Sequence, residues 1–90
     1  MFTRSAKLTF YIPHAAFLKD KRQIRRSLID KTRQRFNVSI AEVDVQDIHQ
    51  TLIVGVAVIS SESSHAEQPL DEIIHYMEEH AAVELTGVER

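Results

Sequence analysis

Four cations, Lys19, Arg22, Arg26 and Arg33, follow one another at intervals of three, four and seven residues, the spacings that bring side chains to one face of a helix. Charges in that pattern form a solvent-facing stripe suited to phosphate backbones. Lys and Arg bind nucleic acid by displacing its counterions, which calls for a concentrated footprint rather than a protein that is basic overall. The simpler alternative is a solvated face, paired or not with the acidic second helix beside it. An acidic protein partner is a third reading of the same stripe.

Two further groups of residues invite chemistry. His75 has Asp71, Glu72, Glu78 and Glu79 at the positions three and four residues away, a mixture of ligand types that could meet a metal ion. One histidine among freely solvated carboxylates lacks the converging partners that orient real ligands, so a solvated acidic face is expected and no metal site is assigned. Glu42, Asp44, Gln46, Asp47 and His49 bring acids and a histidine close together, as a general acid/base site would. Turn-forming Asp side chains account for them more simply, and no Ser or Cys nucleophile arrangement, Gly-rich phosphate loop or HExxH helix accompanies them. No catalytic residue and no cofactor are assigned. Glycine occurs only at 55 and 87, which excludes phosphate-cradling loops and clamps of the KH type. Base stacking in the manner of an RRM is poorly supported as well, because Tyr11 alone is a suitably placed aromatic.

The elements that must position these residues follow from periodicity. Leu8, Phe10 and Ile12 alternate with Lys7, Thr9 and Tyr11, a period of two that predicts a strand ended by Pro13. Leu18 to Phe36 contains no Gly or Pro, and Leu18, Ile24, Leu28, Ile29 and Phe36 recur at helical spacing, which predicts a long helix. Its apolar arc is interrupted by Lys21 and Arg25, which must either reach the edge of the core with their charged ends or meet acids from another element. Asn37 to Val45 is rich in β-branched residues, with a change of apolar parity between Ile40 and Val43 that predicts a β-bulge near Ala41 and Glu42. Gln46 to Gln50 is a polar connection. Thr51 to Ser60 is apolar on both parities, Leu52, Val54, Val56 and Val58 on one and Ile53, Gly55, Ala57 and Ile59 on the other, the mark of a strand at the centre of a sheet. Ser64-His65-Ala66-Glu67 has the pattern of a capping box, with the regular helix expected from about Gln68 and carrying the stripe Leu70, Ile73, Ile74, Met77 and Ala81. Val83 and Leu85 alternate with Glu84 and Thr86 in a last strand.

The order βαββαβ predicts an α+β fold, the ferredoxin-like sandwich, with a four-stranded antiparallel sheet and two helices on one face. Ninety residues, 43% of them hydrophobic, suffice for one core, so residues 1–90 are expected to form a single domain. The other sheet face has no cover, and a second copy is the simplest supplier of one. That face carries either the Leu52, Val54, Val56, Val58 set or the Ile53, Gly55, Ala57, Ile59 set, and a homodimer across it is expected, with Thr9, Tyr11, Ile53, Ala57 and Ile59 as the interface candidates.

The formal net charge of −2 conceals a strong segregation of sign. Residues 19–35 hold eight Lys and Arg against Asp20 and Asp30, whereas residues 37–90 hold eleven acids against Arg90 alone. The chain is thus dipolar, basic on its first helix and acidic beyond it. Zero cysteines exclude disulfides and thiolate chemistry. No apolar run reaches the ~18 residues of a membrane span, and the N-terminal residues lack the features of a signal peptide. A cytoplasmic protein without a membrane partner is the expectation.

Taken together, Leu18-Lys19-Asp20-Lys21-Arg22, the string from Arg35-Phe36-Asn37-Val38-Ser39-Ile40-Ala41-Glu42-Val43-Asp44 through Gln46-Asp47, and Gly55-Val56-Ala57-Val58 resemble the YlxP-like family of uncharacterised bacterial proteins. The resemblance covers nearly the whole chain and is most specific from Phe36 to Asp47. It implies a ferredoxin-like domain, often encoded beside translation-initiation and ribosome-maturation genes, and brings no established catalytic residues. Phe17 stands where such proteins usually carry a helix-capping serine, and Arg25 where an apolar residue is usual. These departures bear on the start of the first helix and on the burial of its middle. The function expected from stripe and resemblance together is a non-enzymatic accessory factor bound to RNA or the ribosome through Lys19, Arg22, Arg26 and Arg33. The rivals are a homo-oligomeric interaction module without nucleic acid, and an enzyme of unknown chemistry.

Overall fold

The computed structural model describes residues 1–13, 15, 18–44, 50–61, 67–81 and 83–90. In chain order they form β1 (Phe2–Tyr11), α1 (Leu18–Arg35), β2 (Ser39–Asp44), β3 (Thr51–Ser60), α2 (Glu67–His80) and β4 (Glu84–Glu89). The strands make one antiparallel sheet in the order β2-β3-β1-β4, the arrangement of the ferredoxin-like sandwich. Its two central strands pair over ten residues, from Phe2 opposite Ser60 to Tyr11 opposite Thr51. This ladder extends β1 five residues before Lys7, into a stretch whose own pattern carries little strand signal. Backbone pairing with the long β3 supplies the order that side-chain alternation lacks there.

Period-two alternation sorts the sheet into two faces. Ala6, Leu8 and Phe10 of β1 and Leu52, Val54, Val56 and Val58 of β3 are buried on one side. They share a core with Leu28 of α1 and with Leu70, Ile73, Ile74 and Met77 of α2, so both helices cover this face. The first turn of α1 contains Asp20 and its last turn Arg33 and Arg35, which suits the helix dipole at both ends. Thr32, fully buried, donates its hydroxyl to the Leu28 carbonyl at 2.7 Å, so it enters the core without an unmet polar group. At the far ends of the helices Tyr76 packs edge-on against Phe36, with ring centroids 5.3 Å apart, and stacks on His80 at 4.1 Å.

The bulge predicted near Ala41 and Glu42 lies between Glu42 and Asp44, at Val43. It does not return Val43 to the core. Val43 is half exposed and stands against Gly55, whose missing side chain makes room for it: a Cβ there would sit 2.8 Å from a Val43 methyl. The last strand runs to Glu89, and Val83 packs against the core just before it begins. The proposed capping box and the effect of Phe17 on the start of α1 lie outside the described residues.

Candidate nucleic-acid interface

The position of α1 over the β2 edge of the sheet explains where its charges go. Lys21 faces inward and is 2% exposed. Its Nζ lies 2.8 Å from Oε2 of Glu42, a β2 residue whose side chain is 6% exposed, and Arg25 donates from NH1 to the other carboxylate oxygen at 2.9 Å. The two cations that interrupt the apolar arc thus meet an acid from another element, the second of the outcomes open to them. Oε2, buried with the rest of the carboxylate, has the Lys21 ammonium as its counter-charge. Burial by itself raises the pKa of Glu42, but the hydrogen bonds and positive charges of Lys21 and Arg25 outweigh it and hold the carboxyl below its ordinary 4.5.

Of the predicted stripe, Lys19, Arg22 and Arg26 are exposed and have no ion-pair partner among the described residues. Arg33 differs. Its backbone position lies on the same side of α1, yet its NH2 donates to the Ile40 carbonyl of β2 at 2.8 Å, folding the guanidinium over the sheet edge. None of these four pairs with an acid of α2 among the described residues. Asp71 is bound to Arg90 and Glu79 to His75 instead. The alternative in which the two helices neutralise each other finds no support here.

Arg33 therefore belongs to a second feature that spacing does not display, a cleft of about 460 Å³ between α1 and β2. Leu18, Ile29, Ile40 and Ala41 give it apolar walls. Lys21, Arg22, Arg25 and Arg33 surround it against the single carboxylate of Glu42, a local net charge of plus three. Arg25 and Glu42 were absent from the predicted interface. The signal that could have found them is the break in the apolar arc at Lys21 and Arg25, which demanded an acid nearby.

Glu42 and Asp44, the first members of the suspected acid/base group, are not brought together. Glu42 sits opposite Val54 on the helix side, while Asp44, beyond the bulge, is opposite Ile53 of the other face. Gln46, Asp47 and His49 lie outside the described residues. His75 is exposed on α2, 3.1 Å from Glu79, and the described residues contain no group of three His, Asp or Glu that could hold a metal ion.

The open sheet face carries Ile53, Gly55, Ala57 and Ile59 of β3, beside Thr9 and Tyr11 of β1. Ile59 is 71% and Tyr11 42% exposed. The face is only partly apolar, however, because β1 contributes Ser5, Lys7 and Thr9 to it, and Lys7 pairs across the sheet with Glu89 at 3.5 Å. No helix among the described residues is long and apolar enough to cross a membrane.

Two comparisons with known proteins agree. Over 72 residues the chain is 31% identical to the uncharacterized protein YlxP of Bacillus subtilis (strain 168), covering 80% of this chain and 78% of that one. Residues 4–90 match the family described as protein of unknown function DUF503. Matched over nearly its whole length, the chain belongs to the DUF503 family, described as proteins of unknown function.

Proposed function

We propose that this protein is a non-enzymatic accessory factor that binds RNA, free or within the ribosome, through the basic side of α1. The observation that carries the reading is the exposure of Lys19, Arg22 and Arg26 along one side of the helix with no acidic partner among the described residues. Cations with no ion-pair partner among the described residues are poised to exchange water and counterions for phosphate oxygens. The test is binding of a labelled RNA as salt is raised. Affinity is expected to fall by about 0.7 log units per log unit of salt for each phosphate neutralised on a single strand, and Arg22→Glu with Arg26→Glu to remove about 1.4 of that slope. Co-sedimentation with ribosomal particles that is equal for wild type and double variant at low salt, or absent for both, would sink the proposal.

A second reading concerns assembly. The exposure of Ile59 and Val43 on the helix-free face favours a homodimer in which Ile53, Ala57 and Ile59 meet their counterparts, bordered by Thr9 and Tyr11. Four strands about 4.8 Å apart and six to ten residues long offer roughly 500 Å² per copy, at the low end of specific interfaces, so the pairing is weak. Sedimentation equilibrium is expected to show self-association at tens of micromolar, an order-of-magnitude value for weak pairing, that Tyr11→Glu abolishes. A monomer throughout that range overturns it.

A further inference from the structure

We propose that the phosphate-binding subsite is the cleft between α1 and the edge strand β2, with Arg22, Arg25 and Arg33 as its donors and Glu42 as the residue that positions Arg25; this rests on the RNA reading above and narrows it. The outer stripe and the cleft share Arg22 but differ in everything that governs affinity. Lys19 and Arg26 stand on the side of α1 that does not line the cleft, where the exposed carboxylate of Asp30 shares their surface. In the cleft, four cations surround one carboxylate that is itself 6% exposed beneath them, so an entering ligand meets positive charge. Leu18, Ile29 and Ile40 add apolar surface between these charges, and cations gathered along one groove raise the local potential for an anion.

Pre-organisation points the same way. Arg25 is held by Glu42 at 2.9 Å and Arg33 by the Ile40 carbonyl at 2.8 Å, so two guanidinium groups are anchored to the same strand before any ligand arrives. A guanidinium has five N–H donors, and each of these arginines uses one nitrogen for its anchor, leaving others for a phosphate. Anchored donors lose less side-chain entropy on binding than free ones. Arg22 to Arg33 spans about 16 Å along the helix at 1.5 Å per residue, enough for several phosphates of an extended strand. The ligand class is thus the sugar–phosphate backbone of single-stranded RNA, read through charge and shape without a base-specific contact.

The experiment measures binding of a short labelled oligouridylate by fluorescence anisotropy over a salt series. The cleft pair Arg22→Gln with Arg33→Gln is expected to weaken binding about tenfold and to remove about 1.4 units of salt slope, while the outer pair Lys19→Gln with Arg26→Gln weakens it less than about threefold. Arg33→Lys, which keeps the charge and removes the fork, should fall between wild type and Arg33→Gln. Equal losses from the two pairs overturn the cleft and leave the RNA reading standing. A wild type that fails to bind even at low salt overturns the RNA reading itself. Polyglutamate of equal charge binding as tightly as the oligouridylate overturns the commitment to RNA. Should circular dichroism show the cleft pair unfolded, Arg33→Lys alone decides, since Arg33 lines the cleft and not the outer surface that Arg22 also borders; an affinity equal to that of wild type then rejects the cleft.

Discussion

Helix α2 enters the core with Leu70, Ile73, Ile74 and Met77, whereas α1 enters it with Leu28, the self-satisfied Thr32 and the charged Lys21. The acidic helix is anchored by area removed from water, which is non-directional and requires only an apolar stripe. The basic helix is anchored in part by a buried ion cluster, which is directional and depends on Glu42 arriving from β2. Ion pairs of that kind contribute little net stability over an apolar replacement, yet breaking one by removing a single partner is costly. This attachment leaves Arg22 and Arg33 lining a cleft, while α2 turns its apolar side to the core and carries Asp71, Glu72, Glu78 and Glu79 on its exposed side.

The largest effect should come from breaking the cluster. Glu42→Gln removes the buried carboxylate that Lys21 and Arg25 share, and a loss of about 3 to 5 kcal/mol is expected in urea denaturation. Replacing both partners, Lys21→Met with Glu42→Leu, should recover most of it, because no buried charge is then left uncompensated. A single variant within about 1 kcal/mol of wild type would show that the cluster does not anchor α1 and would remove the contrast between the helices. On the other helix Met77→Ala, at a fully buried site, should cost about 2 to 5 kcal/mol through lost transfer energy and a cavity. Ile29→Ala at a partly buried site of α1 should cost distinctly less, and the two are comparable by the same urea midpoints.

Acid should sharpen the contrast through α1 alone. Glu42 in the folded chain titrates below its ordinary 4.5, so the unfolded chain binds the proton first as pH falls. The stabilisation is complete above the unfolded value and is lost progressively below it, down through the folded value. Wild type is therefore expected to lose stability more steeply than Glu42→Gln below about pH 4.5. Parallel acid limbs would contradict that. The smallest effect belongs to the outer stripe. Arg22→Glu with Arg26→Glu touches exposed side chains and should shift stability by no more than about 1 kcal/mol, so a larger drop in thermal unfolding would mean that α1 depends on its outer charges to fold.

Much of this architecture was legible locally. The extent of α1, predicted from Leu18 to Phe36, is Leu18–Arg35, and β3 is Thr51–Ser60 as its run of apolar residues implied. Helical spacing alone identified Lys19, Arg22 and Arg26 as exposed neighbours. Less legible was Arg33, which the same spacing put with them but which turns to Ile40, because a long flexible side chain goes to whichever acceptor the neighbouring strand presents. Val43 misled for a related reason: its β-branched character suggested the core, and only the open space over Gly55 explains its place on the other face.

The sequence by itself determined the order of elements, the strand and helix periods and the separation of charge, all of which depend on residues close together along the chain. It was silent on which half of β3 is buried, since a strand apolar on both parities has no preferred face until helices cover one. Tertiary structure chose the set Leu52, Val54, Val56 and Val58. It also chose Glu42 as the partner of Lys21 and Arg25, 21 and 17 positions away. Such a pairing is decided by the packing of α1 against the sheet edge, where a buried charge must find its opposite or remain outside.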